Sequence, residues 1–194
     1  MEDKGLTMTD APEIIDNLRF DPPLAVTGNG WVLISDRVMG GVSDGRMTRE
    51  IVAGRDAIRM QGGVSLENNG GFLQVALDLG DAGAEVDARR WNGIQLDVLG
   101  NNQVYNLHLR TSDIRRPWES YRQSFHAPAR WTTLFLPFGD FAPHRTERPL
   151  NVARLRRIGI VAIGREFEAD ISIADIRFYA AAEGDASAPA LPSS

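Results

Sequence analysis

The segment Gly41-Val42-Ser43-Asp44-Gly45 satisfies G-x-S-x-G, the spacing that sets a nucleophilic serine on a sharp elbow in acyl-transfer enzymes. Such a serine needs a base, and the sequence offers His108, His126 and His144. It also needs a buried strand before the elbow and a helix after it. Here it follows polar Ser35-Asp36-Arg37 and leads into Arg46-Met47-Thr48-Arg49, which reads as a turn between strands. His108 and His126 fall on the polar parity of predicted strands, where Asp97 or Asp113 could join them. Two histidines make an incomplete zinc site, and no H-x-H or H-E-x-x-H spacing completes it. Asp36, Asp44 and Asp175 suit capping and turn bonding better than a calcium site, since they lack EF-hand spacing. Glu166 and Glu168 share a strand face, as glycosidase carboxylates do and as solvated strand faces also do. With no G-x-x-x-x-G-K or G-x-G-x-x-G loop, phosphate chemistry has no motif to stand on. The expectation is a protein without catalysis, metal or cofactor.

Composition narrows the classes further. A chain of 194 residues with 43% hydrophobic and 24% charged residues suits one soluble domain. The absence of cysteine removes disulfides, thiol catalysis and thiolate metal sites. Lys+Arg 21 against Asp+Glu 26 gives a net charge of -5, which argues against a broad nucleic-acid surface. The acidic N-terminal residues resemble neither a secretory signal nor a transit peptide, and no run approaches the length of a membrane span. A cytoplasmic protein is expected, with at most a peripheral position at the inner membrane.

The elements that must position these residues are strands. Leu73, Val75, Leu77 and Leu79 alternate with polar or small neighbours, as do Ile94, Leu96 and Val98, and Tyr105, Leu107 and Leu109, while Leu134, Leu136 and Phe138 alternate with Phe135 and Pro137. Ile158 to Ile163 is continuously apolar, which predicts a central strand. Phe167 to Ile173 keeps one parity that breaks near Ala174 and Asp175, which predicts a bulge. Gly40-Gly41, Gly62-Gly63, Asn68-Asn69-Gly70-Gly71, Gly80 to Gly83 and Gly100-Asn101-Asn102 read as turns. Only Ile14 to Leu18, Val86 to Arg90 and Val152 to Arg156 could supply a helical turn or two. The organisation expected is a flexible N-terminus over 1–13, an all-β antiparallel sandwich over 14–179, and a disordered tail over 180–194.

The outward positions of these strands, among them Gln95, Asp97, Asn106, His108, Arg110, Arg122 and His126, make a polar, arginine-bearing face with few aromatic platforms. Trp31, Trp91, Trp118 and Trp131 fall at strand ends or in loops, suited to closing the core or to a protein-binding rim.

The run WVLISDRVMGGVSDGR from Trp31 to Arg46, followed by GVSLENNGGF from Gly63 to Phe72, resembles the complex I intermediate-associated protein 30 (CIA30) family. Tyr105-x-Leu107-x-Leu109-Arg110-Thr111, the stretch from Trp118 to Phe125, Leu136-Pro137-Phe138 and Ile158-Gly159-Ile160 fit as well, so the resemblance runs from about Ile14 to Phe178. It implies a jelly-roll sandwich similar to galactose-binding domains. The function it implies is non-catalytic and chaperone-like, holding an intermediate in the assembly of respiratory complex I (NADH:ubiquinone oxidoreductase), whose subunits would be the partners. The lack of a transit peptide suggests a bacterial relative, whose client need not be the organellar one.

In the shared block, Gly40 and Gly41 can take positive φ, Val38 and Met39 can plug the sandwich, and Asp36 and Ser43 can bond loop amides. The candidate partner-binding residues are therefore Asp36, Arg37, Met39, Gly40, Gly41 and Ser43 in one loop, Asn68 and Asn69 in a second, with Phe72 re-entering the core. His108, Arg110, Trp118 and Arg122 complete the set on the sheet face. The alternative is a carbohydrate-binding sandwich, which requires an exposed aromatic platform.

Overall fold

The computed structural model describes residues 9–19, 25 and 28–181. Its strands, in chain order, are β1 Thr9–Asp10, β2 Ile14–Asp16, β3 Val32–Ser35, β4 Asp44–Val52, β5 Arg55–Val64, β6 Phe72–Asp78 and β7 Val86–Asp87. They continue with β8 Gly93–Leu99, β9 Gln103–Thr111, β10 Ser120–Ala127, β11 Thr132–Pro137, β12 Ala142–His144, β13 Leu155–Ile163 and β14 Phe167–Tyr179. Only short 3-10 turns accompany them among the described residues.

The first sheet runs β3-β6-β13-β9-β10-β12, with β7 beside the first residue of β13 and β1 parallel to β7. The second runs β11-β8-β14-β5-β4, with β2 on the far part of β14. Every pairing except β1 with β7 is antiparallel. The expected antiparallel sandwich is the fold.

The apolar parity of each strand sets its inward face. Leu73, Val75 and Leu77 of β6, Leu107 and Leu109 of β9, and Ile158 and Ile160 of β13 share one core with Ile94, Leu96 and Val98 of β8 and Ile171 and Ile173 of β14. Removing such a side chain from water contributes about 1.5 to 3 kcal/mol. The continuously apolar β13 is central, flanked by β6 and β9, and even its outward Val161 is buried. The parity break in β14 is a register shift between Ile173 and Asp175 against β8.

Three expectations need correction. Ile14 to Leu18 is not helical: residues 14–16 form β2, and the Asp16 carboxylate accepts from Leu18 N at 2.9 Å and from Trp31 Nε1 at 2.6 Å. Val86 to Arg90 behaves alike, with Asp87 accepting from Arg89 N at 3.0 Å just after β7. In both places a short acidic side chain offers the backbone a turn in place of a helix. Gly62-Gly63 is no turn but lies inside β5, opposite Asp44 and Gly45. A Cβ on Gly62, at φ +152, would come within 2.2 Å of the Asp44 carbonyl oxygen, so glycine here permits close strand approach. The third helical candidate survives as a 3-10 turn at Val152–Arg154, capped by Asn151.

Pairing in the described chain begins at Thr9, ahead of the expected domain start, and Ala11 is buried. The expectations for residues 1–8 and 182–194 fall outside the described residues.

Candidate functional site

The loop after β3 is built around Asp36. The chain leaves β3 through a 3-10 turn, Asp36–Met39, which ends at Gly40 with φ 87. Gly41 N then donates to the Asp36 carbonyl at 2.9 Å, folding the loop back over its own start. The Asp36 side chain is fully buried, and its carboxylate accepts from Ser43 N at 3.0 Å, from Ser43 Oγ at 2.5 Å, from Gly71 N at 2.5 Å and from Phe72 N at 3.3 Å. Burial pushes its pKa up, but these four bonds outweigh it and hold the carboxyl below its ordinary value. Ser43 Oγ in turn accepts from Ser65 N at 2.9 Å, so one node ties three chain segments together.

Glycine makes room for that node. A Cβ on Gly41 would lie 2.3 Å from Asp36 Cγ, and one on Gly70 would lie 2.5 Å from Asp36 Oδ2. Gly40 fulfils the expectation of positive φ; Gly41 does not, and is required for space instead. Ser43 is wholly buried and its hydroxyl is committed to Asp36 and Ser65, with no helix following it, so the G-x-S-x-G match is a structural pin.

What the node presents outward differs from expectation. Val38 and Met39 do not plug the sandwich: they are 75% and 60% exposed, and Val42 of the same loop and Leu66 of the second loop are exposed as well. Phe72 is only half-buried, and Leu73 takes the core position. Asn68 and Asn69 are exposed with φ 56 and 57, the left-handed turn their types favour. Arg37 donates through Nε to the Ser43 carbonyl at 3.1 Å and pairs with Asp44 at 3.3 Å.

The remaining candidates lie on the outer face of the first sheet. His108 of β9 stands opposite Arg122 of β10 on one side and Gly159 of β13 on the other. Its partner is not His126, which pairs across from Val104, but His144, whose ring centroid is 6.1 Å away. His108 Nδ1 lies 3.4 Å from Ser120 Oγ, while its Nε2 is buried without a hydrogen-bond partner. Burial, then His144 and Arg122, push His108 down to about 4, so the imidazole is neutral at physiological pH. Among the described residues no three His, Asp or Glu side chains gather as a metal site.

Arg110 donates from its terminal nitrogens to the carbonyls of Pro117 at 3.2 Å and Arg116 at 3.0 Å, steadying the loop that carries Trp118, itself 49% exposed. Trp31 closes the core, and Trp91 and Trp131 are half-buried. β6 separates the two groups of candidates: Phe72 at its start touches the Asp36 node, while Asp78 at its end lines a cavity with Arg110. Six residue steps of strand put them on the order of 20 Å apart. The first loop and the second are thus one site, and the Arg110 region is another.

The second sheet's outer face is different in kind. Arg59 bridges Asp170 and Glu50, Arg55 pairs with Asp97, and Arg177 pairs with Asp175. These three arginines are paired within the sheet, whereas Arg122 on the first sheet is exposed and lacks an ion pair among the described residues.

The sequence profile of complex I intermediate-associated protein 30 (CIA30) matches residues 19–173, which include the whole Asp36 node. The chain belongs to the CIA30 family. No curated protein matches it. Among solved structures it is similar to the family 11 carbohydrate-binding module of the cellulosomal cellulase Lic26A-Cel5E of Clostridium thermocellum, at 14% identity and TM-score 0.68, over 89% of this chain and 97% of that one. The family 11 module from the same organism in complex with a β-1,3-1,4-mixed-linked tetrasaccharide is similar at 14% identity and TM-score 0.65, over 87% and 95%. The family 30 module of its cellulase Cel9D-Cel44B follows at 11% identity and TM-score 0.54, over 91% and 97%. At these identities the likeness establishes that this CIA30 member is built as a jelly-roll sandwich.

Proposed function

We propose that this CIA30 protein is a non-catalytic binding module that assists assembly of respiratory complex I, gripping a protein client through the Val38-Met39 tip. One observation carries the reading: two large apolar side chains are held in water by a loop whose base is locked by a buried carboxylate. Exposed apolar side chains on a rigid loop bind with little ordering cost, because the backbone is fixed beforehand. Asn68 and Asn69 extend the same surface from the second loop. Family membership supports a complex I client, and the loop geometry supports a protein partner. No helix among the described residues is long and apolar enough to cross a membrane.

The test is genetic. A deletion strain should accumulate complex I subassemblies on native gels, the wild-type gene should restore the full complex, and a Val38→Asp, Met39→Asp double variant should not. Full assembly in the deletion strain would refute the reading.

A second reading, saccharide binding, has one favourable observation: Phe135 is exposed on the second sheet, with Tyr179 beside it at 5.2 Å between ring centroids. The rings meet edge on at 84°, which offers no flat platform, and the strands of the first sheet's outer face carry no exposed aromatic among the described residues. A thermal-shift series with mixed-linked glucan oligosaccharides is expected to stay flat. Saturable stabilisation abolished by Phe135→Ala would make this the better reading.

A further inference from the structure

At the end of β6 away from the Asp36 node, β13 breaks its register with β9. Leu155 pairs with Thr111 and Arg157 with Arg110, so Arg156 is an extra residue on β13. In a regular strand adjacent side chains point to opposite faces, and a bulge re-aims them. Here the bulge lets Arg156 and Arg157 both line one cavity of about 200 Å3, with Arg110, Thr111, Ile114 and Asp78 as the other walls.

Each guanidinium is fixed by an acceptor at the wall. Arg110 donates to the carbonyls of Pro117 and Arg116, Arg156 donates through Nε to the Gly83 carbonyl at 2.8 Å, and Arg157 donates through Nε to Asp78 Oδ1 at 2.6 Å. Neither Arg110 nor Arg156 has a carboxylate within ion-pair distance among the described residues. Three guanidiniums against the single carboxylate of Asp78 leave a formal charge of +2 around one opening. In a chain whose net charge is -5, that concentration of positive charge is local and is built by a register shift. Burial, followed by Arg157 and Arg156, lowers the pKa of Arg110, and Glu119 offsets this only in part, as expected where like charges face each other.

We propose that this cavity binds a phosphate monoester group as its dianion. Guanidinium is planar and matches phosphate oxygens with paired N–H donors, and a phosphate monoester carries a charge near -2 at neutral pH, which offsets the +2 of the walls better than a carboxylate does. The ligand is either a free phosphorylated small molecule or the headgroup of an acidic phospholipid.

Two arms separate these sources. The full chain is titrated calorimetrically with glycerol 3-phosphate, and is floated with phosphatidylcholine vesicles with and without phosphatidic acid. Saturable binding of at least one phosphomonoester probe is expected, weakened about tenfold by Arg156→Gln and by Arg110→Gln. Arg46→Gln, which removes an exposed charge on the second sheet, should leave affinity unchanged within about twofold. Binding of glycerol 3-phosphate assigns the site to a soluble ligand, and capture only by phosphatidic acid vesicles assigns it to a headgroup. Binding of neither probe, or equal weakening by Arg46→Gln and Arg156→Gln, would overturn the proposal. Circular dichroism on each variant separates loss of the site from loss of the fold. The Val38-Met39 tip lies at the other end of β6, so this result stands apart from the client-binding reading.

Discussion

The Asp36 carboxylate accepts four hydrogen bonds through two oxygens, and an amide in its place cannot. Asn has one acceptor oxygen and one NH2. Placed at the Oδ2 position, the NH2 would face the donors Gly71 N and Phe72 N; placed at Oδ1, it would face Ser43 N. Asp36→Asn is therefore expected to cost on the order of 2 to 4 kcal/mol in urea denaturation, since a buried N–H is left facing a donor. A loss below about 0.5 kcal/mol would mean that the node does not hold the loops. The sign with pH follows the same bonds: a carboxyl held below its ordinary value stabilises the fold above that value, and the stabilisation is lost as pH falls through the lowered pKa. His108 acts over a different window. Its imidazole is neutral in the fold down to about 4, whereas in the unfolded chain it protonates near 6.5. The unfolded state then binds more protons, so stability falls as pH drops from about 6.5 towards 4. NMR of the His108 ring should show an unprotonated imidazole at pH 6, and His108→Gln should reduce the loss of stability over this window. A ring titrating at 6.5 would show that His108 is not desolvated as described.

At the scale of elements, the tie between Gly41 and Asp36 predicts strong coupling. Gly41→Ala alone should cost about 1 to 3 kcal/mol, because its Cβ would meet a carboxylate that four hydrogen bonds hold in place. In an Asp36→Gly background the three side-chain atoms nearest that Cβ are gone, so the added cost should fall to roughly a few tenths of a kcal/mol. Additive costs in the double-mutant cycle would contradict the packing described. β6, β8, β9 and β14 announced themselves because one face is apolar at every second residue, and the β14 bulge showed as a break in that parity. The β4–β5 hairpin did not, because Arg46, Arg49, Arg55 and Arg59 spread charge along it and its turn is Ala53-Gly54, with φ 46 and 82, without the Asn or Asp that signals such turns. The false helices at Ile14 and Val86 arose because periodicity says nothing of where an aspartate finds an amide. In the site, the Asp36 and Ser43 bonding roles were legible from residue type. The outward direction of Val38 and Met39 was not, since apolar side chains are inward by default. The Arg156-Arg157 cavity also escaped, because only a register shift brings adjacent residues to one opening.

At the scale of the whole molecule, the sandwich offers two sheets of unlike character. The second sheet closes its own charges with Arg59, Arg55 and Arg177, and such a face gains little from a partner that must first strip water from paired ions. The apolar tip and the arginine-lined cavity belong to the first sheet and the loops at its two ends. The proposed role requires the Asp36-locked tip to grip a complex I client. Affinity capture from detergent-solubilised membranes tests it most directly, with wild-type protein, the Val38→Asp, Met39→Asp variant and Arg46→Gln compared by mass spectrometry. Wild type and Arg46→Gln should recover complex I subunits, and the tip variant, folded by circular dichroism, should recover about tenfold less. Equal recovery by all three, or recovery of no complex I subunit by the wild type, would contradict the account.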